Sequence, residues 1–535
     1  MYIVTTCNKD QELGDKRVKS DRVMSNILSD EEELANGLGS EILLPGNHMA
    51  RVTKRWGSGI IDAIAGKKRS GDAVHMCADT DDEYTSPGQL YSTDSGRLFH
   101  AGKILVVLVG LPATSKTLLS VAITRYTKWL GVRTKSFHLS QYRKASGFLP
   151  IDFLSAVPST DEGKEFRKIL LEEIYTDMYK FFTETKGQLA VYDALNIRVY
   201  DRKFIYEKFS EIGVKVLFIE SIMTDRRLVN HNIDIALQSF DYQGFTKEEA
   251  ATDYMKRYMI NETLYETMTL SEGLSYVQYI NLGERITVHN NEYGYLIHKI
   301  VFFLMNMKEK TGCVYFARCG RSDKDKYADD EELNEEGVKY SKKLTNLILQ
   351  RIIKVRKARE RDEDVHSISH EEYEDSTPEP YVLNSLKKDL LVWTAPRKRT
   401  YDTAKVFQEL GFEVRQRSQL KQLNPGVVAD MSDSDIAEKY PEEYKEYVKD
   451  RYHFRFPRAE SYHDLAVRME PLLLEMEHTS HDIVVIAHES TLRILYGYFM
   501  ALSCIELPQL QFTRDELIEV SFSPFCNQVK HIPIH

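Results

Sequence analysis

Two stretches of the chain alternate short apolar runs with amphipathic segments, and strongly polar stretches precede and interrupt them. The first alternation begins near Phe99. Its apolar runs at Ile104–Val109, Thr134–Leu139, Gln188–Tyr192 and Val214–Glu220 are candidate strands. Short runs of this kind, bounded by polar or turn residues, suit strands buried on both faces. Helical spacing fills the gaps, notably over Lys164–Thr183, and Tyr295–Met307 closes the region. Strand–helix alternation predicts a parallel α/β sheet.

A second alternation starts at Val314–Arg318 and continues with Leu390–Thr394 and Ile483–Ala487, each an apolar run ending at polar residues. Functional side chains of open α/β sheets collect at such C-terminal strand ends. Between Arg351 and Pro380 the chain is densely charged, with no apolar face after Val355, and reads as an exposed, solvated insertion. Residues 1 to about 95 are polar and predict a mostly disordered extension. Within it, Ala50–Gly66, with Trp56, Ile60, Ile61 and Ile64, suits either a short docking helix or a plain surface helix.

Composition narrows the choices. A chain of 535 residues exceeds one hydrophobic core, so about two to four domains are expected. The formal net charge of −10 argues against nucleic-acid binding, and any anionic substrate must meet a local basic patch. The six cysteines are scattered without a C-x-x-C, which indicates neither a zinc site nor a disulfide framework. There is no N-terminal signal pattern and no uninterrupted apolar stretch of about 18 residues, so a cytoplasmic setting without membrane is expected.

The chemistry is densest at Lys103–Ser120, KILVVLVGLPATSKTLLS. An apolar strand enters a turn at Gly110, passes Ala113, Thr114 and Ser115, and leads through Lys116 and Thr117 into a helical pattern. That is the context of a phosphate-binding P-loop, with Ser115 where its second glycine belongs. Loop amides and the helix N-terminus would hold phosphates, Lys116 would neutralise them, and the Thr117 hydroxyl would bind magnesium. Asp193, at the end of the run LAVYD, suits the second magnesium carboxylate of such enzymes; capping the next helix is the plainer alternative.

GRLFHAGKILVVLVGLPATSKT, RYTKWLGVRTKSFHLSQYRK, VYDALN, FIESIMTD and HKIVFFLMNMK together resemble the bifunctional 6-phosphofructo-2-kinase/fructose-2,6-bisphosphatase family, over roughly residues 98–530. The resemblance implies an α/β P-loop kinase domain, with a mainly parallel sheet and flanking helices, over 98–310. A histidine-phosphatase-like (phosphoglycerate-mutase-like) α/β domain would follow over 311–535, with 1–97 as the extension and the charged insertion at about 351–381. It further implies ATP and Mg2+ as cofactors, a sugar phosphate (fructose 6-phosphate or fructose 2,6-bisphosphate) as ligand, and a homodimer.

Carried over residue by residue, the resemblance keeps the nucleotide positions Lys116, Thr117 and Asp193, and adds Asn232 on the adenine side and Asn290 as a further contact. Met223 replaces a cysteine next to the nucleotide. Ser115 is expected to weaken ATP binding without abolishing it, because its Cβ crowds the approach of backbone to phosphate. Arg143, Arg167 and Arg257 stand at the sugar-phosphate arginines. Other sugar positions are eroded: Leu195 replaces a threonine, Ala236 a lysine and Asn261 a tyrosine. Losing a cation and hydroxyls beside a phosphoryl-transfer centre removes charge stabilisation worth about 10²–10³ in rate per contact.

In the second half the family's R-H-G-E reads Arg318-Cys319-Gly320-Arg321, so the nucleophilic histidine is absent. The segment that supplies the acid is shortened to Leu423-Asn424-Pro425-Gly426, without a glutamate, and the glycine-rich loop to about Lys326–Asp330. Arg318, Arg399, Arg458, His488 and Arg493 remain and would bind phosphate without cleaving it. The expectation is a silent phosphatase joined either to an ATP-dependent 2-kinase or to a regulatory pseudoenzyme.

Overall fold

The structure, a computed structural model, describes residues 87–88, 102–145, 150, 152–153, 155–237, 246–289, 294–360, 380–522 and 527–534. All lie within the unit Lys68–His535. The N-terminal extension apart from Pro87 and Gly88, the segment Ala50–Gly66, Asn290 and most of the charged insertion fall outside the described residues.

The first alternation forms a six-stranded sheet of order β2-β3-β1-β4-β5-β6. Its strands are β1 (Ile104–Val109), β2 (Thr134–His138), β3 (Leu189–Asp193), β4 (Lys215–Ile222), β5 (Tyr276–Ile280) and β6 (Arg285–His289). Pairing is parallel except between β5 and β6. Every residue of β1 is buried, as its unbroken apolar run requires of a central strand. Helices α1 (Lys116–Trp129), α2 (Asp161–Thr183), α3 (Val199–Ser210), α4 (Arg226–Leu237), α5 (Lys247–Glu262) and α6 (Tyr295–Asn306) accompany it. Ile174, Phe181, Phe182, Ile205 and Phe209 pack with Phe137 of β2 and the other strand side chains of one sheet face as a continuous core.

The second alternation forms another six-stranded sheet, β12-β11-β7-β10-β8-β9. Here β7 (Val314–Arg318), β8 (Leu390–Thr394), β9 (Val414–Gln416) and β10 (Asp482–Ala487) are parallel, and β11 (Glu516–Phe522) and β12 (Asn527–Pro533) complete one edge antiparallel. Helices α7 (Glu335–Glu360), α8 (Tyr462–His478) and α9 (Glu489–Phe499) flank it.

One expectation is corrected. The charged segment does not leave the fold at Arg351, because α7 continues to Glu360. Ile352, Val355 and Ala358 are buried, and Arg351, 1% exposed, pairs through Nε and Nη2 with Glu519 of β11 at 2.7 and 2.9 Å. A charge-rich sequence hid an amphipathic helix whose buried cation has a partner in a distant strand.

The two sheets are joined through α1. Trp129 meets Tyr498 of α9 edge-on with ring centroids 5.6 Å apart, while Tyr126 stacks on Phe303 of α6 within the first half at 4.5 Å. Pro87 and Gly88 are buried at the same junction. The Gly88 N–H donates to the Trp129 carbonyl at 2.9 Å, and the Tyr452 hydroxyl donates to the Pro87 carbonyl at 2.7 Å. No helix among the described residues is long and apolar enough to cross a membrane.

Candidate functional site

Strand register builds the first site. Leu108 of β1, Asp193 of β3 and His138 of β2 lie level across three neighbouring strands, so the chain leaves β1 beside the Asp193 carboxylate. Asp193 Oδ2 accepts from Thr117 Oγ1 at 2.9 Å and lies 3.0 Å from His138 Nδ1. It does not cap the following helix, whose N-cap is Arg198. Burial acts to raise the Asp193 pKa, but His138, Lys116 and Thr117 outweigh it and hold the carboxyl below its usual range. An ionised carboxylate beside a hydroxyl is an oxygen-only donor pair of the kind a hard divalent cation takes.

Gly110 opens the turn at φ 145°, and a Cβ there would lie 2.6 Å from the Ser221 carbonyl, so only glycine fits. The Lys116 amine is buried and folds into the loop, donating to the Leu111 carbonyl and, at 3.3 Å, to Thr114 Oγ1. Burial lowers its pKa to about 8, against the pull of Asp193 and with help from the Arg257 charge. Ser115 keeps the left-handed backbone that a glycine would take, φ 59° and ψ 23°. Its hydroxyl donates to Asn232 Oδ1 at 3.0 Å, and Asn232 Nδ2 donates to the Ala113 carbonyl at 2.9 Å. The substitution is thus tied to α4, an arrangement that spacing alone does not reveal.

The sugar-side positions are less coherent. Arg257 is close enough to depress Lys116. The Arg167 guanidinium stands 4.0 Å from Asp201 and its charge reaches Tyr192 of β3, whereas that of Arg143 lies 5.9 Å from the Phe153 ring. Leu195 is half-buried, and its carbonyl accepts from the Gly110 N–H at 3.0 Å. Ala236 packs against a small apolar cluster of Ala113, Ile233, Ala250 and Tyr254 at the edge of the loop. Asn261 is fully buried: Oδ1 accepts from Ala156 N and Nδ2 donates to the Arg257 carbonyl, both at 2.8 Å.

In the second sheet Arg318 ends β7 opposite Ala487 of β10, which places Cys319 beside His488 at the strand ends. Cys319 is 1% exposed. Burial raises its thiol pKa although Arg399, Arg514 and Arg318 pull the other way, so the thiolate is disfavoured. His488 is buried and accepts at Nε2 from Arg399 Nε at 3.0 Å; arginine only donates, so the ring proton sits on Nδ1. Burial, then Arg399 and neighbouring arginines, push its pKa well below the usual value and keep it neutral.

Two of the expected phosphate ligands stand apart. Arg493 spends its guanidinium on Leu510 O and the Tyr462 hydroxyl, both at 2.6 Å, and on Glu489 at 2.9 Å, so it is a strut. Arg458 is exposed, and its carbonyl accepts from Asn424 Nδ2 at 3.2 Å. Sequence reasoning missed Arg514 and Asp325. Arg514 Nε donates to the Cys319 carbonyl at 2.7 Å, and Asp325 contacts both Arg399 and Arg514. The signal for Arg514 lies in strand order: antiparallel β11 starts where β7 ends.

These features define a class, a P-loop kinase-type α/β domain joined to a histidine-phosphatase-type α/β domain. Residues 91–311 match the 6-phosphofructo-2-kinase family, and residues 382–534 match the histidine phosphatase superfamily (branch 1). A Saccharomyces cerevisiae protein, provisionally named a 6-phosphofructo-2-kinase/fructose-2,6-bisphosphatase, is 59% identical over 518 residues, covering 96% of this chain and 99% of that one. Human 6-phosphofructo-2-kinase/fructose-2,6-bisphosphatase 4 is 31% identical over 413 residues, 76% of this chain and 80% of that one. Human 6-phosphofructo-2-kinase/fructose-2,6-bisphosphatase 1 is 32% identical over 414 residues, 76% and 79% respectively. The chain belongs to the 6-phosphofructo-2-kinase/fructose-2,6-bisphosphatase family.

Proposed function

We propose that this protein binds ATP with Mg2+ in a kinase half spanning 98–310, with phosphoryl transfer to the 2-hydroxyl of fructose 6-phosphate as the ceiling of its chemistry. In the same proposal the half spanning 311–535 does not hydrolyse fructose 2,6-bisphosphate. What carries the nucleotide assignment is the Thr117–Asp193 hydrogen bond of 2.9 Å beside the buried Lys116 amine. The donor set fits: Thr117 and Asp193 would hold the ion, Lys116 and the loop amides the phosphates. When bound, magnesium would neutralise charge on the transferred phosphoryl group. Lys116 supplies a cation already desolvated inside the loop, which would exchange its contacts with Leu111 and Thr114 for phosphate oxygens. Arg257 adds a second positive charge on the sugar side. Silence of the other half is supported by Cys319, a buried thiol where hydrolysis needs an imidazole nucleophile.

A second reading, a regulatory member that binds ATP or sugar phosphate without turnover, is favoured by Ala236 and Asn261. Ala236 lines an apolar cluster where the family carries a lysine, and Asn261 is committed to structure at both ends of its amide. Purified protein given ATP, magnesium and fructose 6-phosphate separates the two. Fructose 2,6-bisphosphate that forms in the wild type and falls at least about a hundredfold in Lys116→Ala supports the kinase. ATP binding without product supports the regulator. Absence of ATP binding rejects the kinase, absence of both ATP and sugar-phosphate binding rejects the regulator as well, and bisphosphatase turnover that vanishes in Cys319→Ala rejects the silent second half.

A further inference from the structure

The basic pocket at the end of β7 carries its own anion. Arg399, with a side chain 5% exposed, and Arg514, at 14%, both turn toward Asp325, at 40%. Arg514 Nη2 donates to Asp325 Oδ1 and Oδ2 at 3.2 and 3.1 Å, and Arg399 Nη1 donates to Oδ1. The other nitrogens of these guanidinium groups, Arg514 Nη1 apart, have partners of their own. Arg399 donates from Nε to His488 and from Nη2 to Gln422 Oε1 at 3.4 Å, and Arg514 donates from Nε to the Cys319 carbonyl. Arg318 is held elsewhere, by the Phe512 carbonyl at 3.0 Å and Glu489 at 3.5 Å. His488 is neutral, and its buried Nδ1 has no hydrogen-bond partner among the described residues. Two largely desolvated cations with one carboxylate between them form the arrangement that would receive an oxyanion, with the oxyanion supplied by the chain itself. Removing it would leave both guanidinium groups uncompensated.

The carrier of that carboxylate is suited to bring it there. Asp325 lies in the loop between β7 and α7, with its backbone at φ 50° in the left-handed region. The loop is pinned beyond it: Tyr327 and Ala328 donate backbone N–H groups to Asp430, and the Arg397 guanidinium sits 4.4 Å from the Tyr327 ring. Asp325, 40% exposed, is therefore carried into the pocket on a loop anchored two to three residues further on.

We infer that Asp325 is an intramolecular ligand of this pocket, occupying the place of a phosphate-class oxyanion, and that such an anion binds there only by displacing it. This goes beyond the loss of the nucleophile, since it concerns binding and holds whether or not Cys319 reacts. An anion that must first displace a resident carboxylate binds more weakly by the fraction of time the pocket is open.

The test is titration of the full chain with inorganic phosphate, followed by calorimetry. Asp325→Asn, which keeps shape and removes charge, is expected to bind at least about tenfold more tightly than the wild type. The gain is expected to disappear in Asp325→Asn/Arg514→Gln, which separates this pocket from the P-loop, common to all the variants. Asp325→Gly, whose backbone favours the observed φ, serves as the second variant should the amide disturb folding, and the same gain is expected. Equal affinity in the wild type and in whichever aspartate variant folds overturns the inference, as does a gain that survives Arg514→Gln.

Discussion

At Ser115 the chain keeps a glycine's backbone without a glycine. A side chain in the left-handed region costs about 1 kcal/mol, and the hydroxyl recovers part of this through Asn232. Ser115→Gly trades one against the other, so thermal stability should move by no more than about 1 kcal/mol in either direction. ATP affinity, read by calorimetry, should rise a few-fold, because the Cβ no longer crowds a phosphate; a fall would show that the hydroxyl matters more. Lys116 gives a pH signature. Its folded pKa of about 8 lies below the ordinary 10.5. Between these values the unfolded chain holds more protons, so this residue's contribution to stability increases as pH rises through that window. Nucleotide binding runs the other way, since it needs the ammonium form: affinity should fall as pH rises through about 8. Lys116→Arg, always charged, should flatten the profile. A wild-type profile already flat from about pH 7 to 9 would contradict the assigned role.

At the scale of elements, what could be read from the sequence was what local pattern encodes. Strands such as β1 and β7 are unbroken apolar runs because both faces are covered, and the strand–turn–helix at Gly110–Thr117 carries its chemistry within a few residues. Asp193 was legible for the same reason, as a polar residue ending an apolar strand. Strands β5, β6, β11 and β12 were not: β6 is an edge strand with half-exposed and exposed positions, and a seven-residue strand such as β12 alternates without a long apolar run. Neither was the Arg399–Asp325–Arg514 contact, whose members meet only once strand order is known. Helix α7 is the instructive case. Arg351 looked like part of a solvated charge run, yet it is buried with Glu519. Breaking a buried pair costs about 3–5 kcal/mol, since the remaining charge loses its partner. Arg351→Ala should lower the urea-unfolding free energy by about that amount. Lys357→Ala, on the exposed side of the same helix, should stay within about 0.5 kcal/mol. Equal effects of the two would return the segment to the solvated reading.

Across the whole molecule, the P-loop helix is also the joint between the halves. Glu477 of α8 accepts from Arg125 of α1 at 2.6 Å and from the Tyr498 hydroxyl at 2.8 Å, with Lys310 Nζ at 3.9 Å. About two turns away on α8, Glu470 accepts from the Tyr126 hydroxyl at 3.0 Å and from Lys299 at 2.8 Å. Glu477 is buried, which by itself would raise its pKa, but Arg125 and Lys310 prevail and hold it below the usual carboxylate value. A carboxylate with a depressed folded pKa contributes stability above its unfolded pKa and loses that contribution as pH falls through the folded one. Lys310, pulled down to about 8 by burial despite Glu477, depends on the same carboxylate to remain charged at neutral pH. Glu477→Gln keeps the shape and removes the shared counter-charge, leaving Arg125 and Lys310 facing each other at the joint. Scanning calorimetry should show the wild type unfolding in one transition near neutral pH and the variant in two, as the halves lose their mutual support. As pH falls through the folded pKa of Glu477, below the usual carboxylate value, the wild type should come to resemble the variant, because protonation of Glu477 removes the same charge. Two separate transitions in the wild type at neutral pH would mean that the halves fold independently and that the joint contributes contact without coupling.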